Sequence, residues 1–268
     1  MLINNALVLG TFDRLNKVKK KSDKSVEKLT SGKRINVARD DAAGMAIQES
    51  FKSQVRCLSQ AFRNTQDGIS LMQTADASAE NVGRQLKRMK EISIEGSNDT
   101  LTDTDRQALD KEFQQLKEEI QSVADKSEFN GIKLLKEDKE LSIQTKYDPY
   151  QFTKVKLHKL DLESTGLKDV SLNDKNNCVE AIEKVDEAIE TVVAVRVDYG
   201  SSLNSLKSAA ANASTAELST TASLSKIEDA DMAKSMMEYV KHNILQKYND
   251  SMVVYANQDT ENVAKLIR

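Results

Sequence analysis

Residues able to carry out chemistry are sparse in this chain. It has two histidines, His158 and His242, and two cysteines, Cys57 and Cys178, in 268 residues. No His-Glu-x-x-His spacing puts two imidazoles on one helix face for a metal, and no glycine-rich loop is present to wrap a phosphate. No strand-to-helix serine elbow exposes a nucleophile. Two cysteines make neither a disulfide framework nor a metal cluster. The inventory argues against an enzyme and calls for no cofactor and no metal.

The charged groups suggest recognition instead. Arg39, Asp40 and Asp41 are consecutive. Either aspartate can cap a following helix, because a short acceptor there satisfies free backbone N–H groups. The same triplet can pair with charges on another copy of the chain. The stretch from Lys17 to Lys24 is basic and reads as a solvated helix face rather than a polyanion site. A net charge of −3 leaves no footprint for nucleic acid. No apolar run approaches the roughly 18–20 residues that span a membrane, so no membrane insertion is expected. The first residues lack a basic region ahead of an apolar core, so export would proceed without a cleaved signal peptide.

The elements that carry these groups are long helices. Charged residues make up 30% of the chain and aromatics 4%, with no Trp and one Pro, Pro149, so little interrupts a helix. From Phe51 a stripe runs through Val55, Leu58, Phe62, Thr65, Ile69 and Met72, in alternating steps of four and three. It shifts phase and continues through Ala75, Ala79, Val82, Leu86 and Met89, the mark of a coiled-coil stammer. Gly68 and Gly83 within it each cost about 1 kcal/mol relative to Ala.

A second helix follows the capping residues at 101–105, with Leu109, Phe113, Leu116, Ile120 and Val123 on one face, and stops before a turn at Phe129, Asn130 and Gly131. Short alternating runs at 141–145 and 152–160 predict a β-hairpin. A third helix from about Asn176 carries Ile182, Val185, Ile189, Val192, Arg196, Tyr199, Leu203, Leu206, Ala210 and Ala213 in the same spacing. Arg196 interrupts that stripe, either snorkelling to solvent or pairing at an interface. The tract 209–221 is weakly patterned, and a last amphipathic run is expected over 224–255. The first and third helices have matched seams and can pack antiparallel. That packing puts Cys57 and Cys178 at opposite ends, beyond the roughly 4.4–6.8 Å a disulfide spans, and predicts two free thiols. The outermost segments carry apolar stripes that only each other or another copy can cover.

Particular blocks then point to a family. Residues 31–45 read SGKRINVARDDAAGM, which closely resembles the signature of bacterial flagellins. Residues 63–74 (RNTQDGISLMQT), 86–92 (LKRMKEI), 196–206 (RVDYGSSLNSL) and 227–232 (IEDADM) resemble further flagellin blocks in the same order. The closing Ala256, Asn257 and Gln258 resemble the family's carboxyl end, although Asp259 and Thr260 stand where a proline is usual.

The resemblance implies a mainly α fold: a long antiparallel coiled-coil-like rod with a small β-hairpin, and paired terminal helices forming an inner filament layer. Residues 1–30 and 225–268 would form that layer, 31–44 the connector, and 45–224 the rod, with the hairpin region at 132–176. This is a short form, without room for large outer surface domains. The implied function is a structural subunit that polymerises with itself into an extracellular flagellar filament for swimming. A hook–filament junction protein or a specialised minor flagellin is the alternative. Implied partners are the flagellar export apparatus, an export chaperone, and hook-associated and cap proteins. Ser31, Gly32, Arg34, Ile35, Asn36, Asp40, Asp41, Gly44, Arg196 and Asn257 match assembly and connector positions. Arg88, Ile92 and Glu112 match positions that contact a host Toll-like receptor in many flagellins, which predicts one exposed face holding all three.

Overall fold

The computed structural model describes residues 6–148, 150–172 and 174–267, with side chains from residue 9 onward except at 149, 173, 175, 256, 257 and 259–268. In chain order the elements are α1 (Ala6–Ser31), α2 (Ala42–Gly96), α3 (Asp103–Lys126), β1 (Glu128–Phe129), β2 (Ile132–Lys133), β3 (Lys139–Gln144), β4 (Phe152–Leu157), α4 (Lys175–Glu228) and α5 (Met232–Ile267). They form two compact units, one of Met1–Val55 with Leu218–Arg268 and one of Arg56–Glu217, whose boundaries fall inside α2 and α4.

The core of the second unit is a seam between α2 and α4. Four contacts fix its direction. Arg196 pairs with Asp76, a methyl at Gly83 would touch Val192, Lys90 pairs with Asp186, and Gly96 lies against Cys178. Numbers rise along α2 as they fall along α4, so the two helices are antiparallel. Met72, Ala75, Ala79, Val82, Leu86 and Met89 are completely buried, as the heptad spacing after residue 72 predicts. Before residue 72 the outcome differs. Leu58, Ala61 and Thr65 are buried while Phe62 is exposed. Opposite this stretch α4 presents Ala210 and Ala213, and the small Ala61 fills the seam in place of the phenyl ring.

Helix α3 starts at a reciprocal cap. Thr102 accepts from the Asp105 N–H, and the Asp105 carboxylate accepts from the Thr102 N–H at 3.0 Å. Phe113 and Ile120 enter the core. Asn130 and Gly131, with φ of 50° and 77°, form the two-residue turn joining β1 and β2, which needs left-handed backbone at both positions. Strands β3 and β4 make the expected hairpin, Leu141 opposite Val155. The hairpin lies on α2 where a methyl added to Gly68 would overlap Ile143, so the helix cost of that glycine admits the sheet. Tyr199 is fully buried in the core, and its hydroxyl accepts from the His158 N–H at 3.1 Å.

The expected weak stretch at 209–221 is not a break. Helix α4 runs unbroken to Glu228, because alanine is the best helix former and the tract contains neither Gly nor Pro. The break falls at 229–231, where Asp231 caps α5 by accepting from the Lys234 N–H at 3.0 Å. In the first unit α1 packs along α5.

A buried ammonium ties α3 to the loop before α4. Lys117 donates to Lys168 O at 2.8 Å and Val170 O at 3.0 Å, and burial pushes its pKa down. Lys117→Ala is expected to destabilise the protein by about 1–3 kcal/mol in denaturant melts, since Lys168 O loses its donor. Lys117→Met keeps the stem packed and should lose less. A folded pKa below the unfolded value penalises the charged form at neutral pH. That penalty fades as pH rises through the folded pKa toward 10.5, so the alkaline part of the stability profile should flatten in Lys117→Met.

Candidate assembly site

Residues 32–41 join α1 to α2, and most of the residues singled out around them have defined intramolecular roles. Ser31 Oγ accepts from the Lys33 N–H at 3.1 Å. Gly32 ends α1 with φ of 69°, its N–H bonded to Lys28 O at 2.9 Å, a left-handed cap that glycine adopts without steric cost. Asn36 donates to Glu27 O at 3.5 Å. Asp41 caps α2, accepting from the Gly44 N–H at 2.9 Å. Asp40 pairs with Lys24 of α1 at 2.6 Å. Ile35 is buried at 2% exposure, and a methyl on Gly44 would sit 2.7 Å from its Cδ1 and closer still to the Asp41 carboxylate, so any larger residue there would displace both side chains.

The connector is held by the break between α4 and α5. The Arg34 N–H donates to Glu228 O at 2.6 Å, and its guanidinium donates twice to Ile227 O, at 3.1 and 2.8 Å. The Ala230 N–H returns a bond to Gly32 O at 2.9 Å. The Glu228 side chain, buried at the same point, receives Lys33 at 2.6 Å and Lys52 of α2 at 3.3 Å. Sequence reasoning missed Glu228, Lys33 and Lys52. Their traces were Glu228 inside the 227–232 block and Lys33 inside the 31–45 block, because a charge at a helix end reads as solvated until its partners are in place.

The α1–α5 contact is polar where a seam would be apolar. The covered positions of α5 are Ser235, Tyr239, His242, Gln246, Asn249 and Val253, in steps of four and three. Those of α1 include Leu15, Val18, Ser22 and Ser25. The large apolar residues of α5 turn outward. Met237 is 67% exposed, Ile244 63% and Tyr248 60%, with Met236, Val240 and Leu245 beside them. Asn257 is in α5, and its side chain lies outside the described residues.

The remaining positions lie in the second unit. Arg196 donates to Asp76 at 2.9 Å and Glu80 at 3.3 Å, so the chain itself supplies its partners. Arg88 bridges α2 to Glu112 of α3 at 2.8 Å and to Glu91 at 3.2 Å, all exposed. Ile92 corrects the expectation of a shared exposed face: it is fully buried. It follows Met89 by three residues and so falls in the seam, while Arg88 lies on its flank. Cys57 is exposed and Cys178 buried, both free thiols, and burial pushes the Cys178 thiol up. No helix among the described residues is long and apolar enough to cross a membrane.

Burial pushes the Glu228 carboxyl up, but hydrogen bonds and charge from Lys33 and Lys52 more than reverse this and leave it below its ordinary value. The bond from Lys24 holds Asp40 down in the same way. Each contribution is present above the unfolded pKa, 4.5 for Glu228 and 3.8 for Asp40, and is lost as pH falls through the folded one. Glu228→Gln should therefore lose about 1–3 kcal/mol at pH 7. The gap to the unsubstituted protein should close in acid, and a gap independent of pH would refute the role of the charge.

Comparison with known proteins places this geometry. Residues 3–140 match the bacterial flagellin N-terminal helical region, and residues 182–267 match the bacterial flagellin C-terminal helical region. The flagellin of Halalkalibacterium halodurans is 40% identical over 248 residues, covering 91% of each chain. That of Bacillus subtilis is 35% identical, covering 100% of each. Among solved structures, Bacillus cereus flagellin aligns with a TM-score of 0.50 at 32% identity, over 56% of this chain and 88% of that one. A flagellar hook-associated protein from Vibrio parahaemolyticus aligns at 0.61 with 14% identity, over 71% of this chain and 100% of that one, which is a likeness of fold alone. The chain belongs to the bacterial flagellin family.

Proposed function

We propose that the chain is a structural subunit that self-assembles into the extracellular filament of a bacterial flagellum, with no catalytic role. The observation that carries this is the inverted patterning of α5. Its polar residues meet α1 while Met237, Val240, Ile244 and Tyr248 face away. An apolar stripe of this length on an otherwise charged chain calls for a protein partner, and the partner present in excess is another copy. In this reading residues 1–30 and 225–268 make the inner layer, 31–44 the connector and 45–224 the rod. Asn257 and the connector residues act by holding the geometry in which copies meet. The subunit leaves the cell through the flagellar export apparatus, escorted by a chaperone. Hook-associated and cap proteins bound the polymer at its two ends.

A junction protein of the hook would share the fold but not polymerise extensively. The purified full-length chain is expected to form long filaments by electron microscopy and sedimentation. Ile244→Asp should raise the critical concentration at least tenfold while the monomer's second unit melts as before. A chain that stays monomeric at high concentration would refute the filament reading and favour the junction role.

The exposed Arg88–Glu112 pair is proposed as the contact for a host Toll-like receptor on the free monomer, with Ile92 acting only as core support. Arg88→Asp should abolish signalling in a reporter assay, with the helix content by circular dichroism unchanged. Full activity of that variant would remove this contact.

A further inference from the structure

The basic stretch of α1 is left unused by the filament reading, and the fold gives part of it a shape. Lys21, Lys24 and Lys28 follow one another at steps of three and four, so they share one face of α1. That face meets Lys241 and His242 of α5 across a cleft of about 310 Å³ floored by Ser25, with Glu238 on its rim. Lys24 is paired with Asp40. No carboxylate among the described residues lies within ion-pair reach of Lys21, Lys28 or Lys241, Glu238 included. Three lysines without an ion-pair partner among the described residues thus line one cleft. His242 Nδ1 is buried there without a hydrogen-bond partner among the described residues. Like charges held together by a helix pair repel, and an anion seated among them relieves that repulsion while accepting several charge-assisted bonds.

We infer that this cleft between α1 and α5 binds one anionic oxygen group. Glu238 on the rim disfavours a long polyanion, whose further charges would meet it. The group has two sources: a free phosphate-like oxyanion, or a carboxylate of a neighbouring copy. The second rests on the filament reading and the first does not. In either case an anion in the cleft adds to the direct contact of α1 with α5, which runs through polar side chains such as Ser22, Ser25 and Ser235.

The test uses the full chain and two triple variants of equal charge change. Lys21→Gln/Lys28→Gln/Lys241→Gln empties the cleft, and Lys17→Gln/Lys19→Gln/Lys20→Gln removes exposed lysines that do not line it. Circular dichroism checks that both keep their helix content. Sodium phosphate is titrated into the monomer at constant ionic strength against chloride, followed by phosphorus NMR and thermal melting. Filaments are then challenged with rising sodium chloride. Phosphate binding weakened at least tenfold in the cleft variant alone supports the site with a free ion as ligand. Absent phosphate binding, with filaments of the cleft variant alone dissociating at lower salt, supports it with a neighbour's carboxylate. Equal behaviour of the two variants in both assays overturns the inference and leaves only net charge. Failure of every chain to form filaments bears on the filament reading, and the monomer titration then decides the site by itself.

Discussion

Both ends of this chain are governed by one junction, the crossing of residues 32–34 with residues 227–230. Two backbone hydrogen bonds, a doubly bonded arginine and a buried carboxylate between two lysines fasten the end of α1 to the end of α4. The fastening matters because α1 ends there and α5 starts just beyond it, so it sets where the packing of α1 along α5 begins. Gly32 supplies the left-handed residue that turns the chain, and Gly44 supplies the space in which Ile35 is buried. Removing water from Glu228 is unfavourable by itself. It is offset because Lys33 and Lys52 both reach the carboxylate.

Beyond the junction the two units are stabilised differently. The second unit has a continuous apolar core in which α2, α3, α4 and the β3–β4 hairpin each bury several side chains completely. At about 1.5–3 kcal/mol for each fully buried large apolar side chain, that core is ample for independent stability. The first unit has no comparable core. Its buried positions in α1 and α5 are Ser22, Ser25 and Ser235, and its largest apolar side chains face outward. The same sequence thus makes one part with a continuous buried core and one whose large apolar side chains are left facing outward. For a polymer subunit this division is useful: premature association is limited to one surface, and the stability of that surface rises with assembly.

How much was legible beforehand follows from which interactions are local. Periodicity located α2, α3 and α4 because a helix core face repeats within one segment. The Asn130–Gly131 turn and the cap at Thr102 were legible for the same reason: each is a property of a few adjacent residues. The ordered blocks at both ends carried the family. The errors all concern partners. Phe62 fits the heptad as well as Ala61 does, and only the small residues of α4 opposite decide between them. Ile92 looked exposed until the phase of the seam after Met89 was known.

Short-range patterns in the sequence were enough to identify a long-helix protein, and its motifs assigned it to the flagellins. Helix formation and turn chemistry are short-range, so they are written where they occur. The tertiary structure alone decided which charges pair and which faces close. It alone showed that Arg196 is satisfied within the chain, that Glu228 fastens the connector, that Gly68 makes room for Ile143, and that α5 turns its polar side inward. Each of these depends on residues far apart in the chain, such as Glu228 with Lys33 and Lys52, whose mutual distance no local pattern encodes.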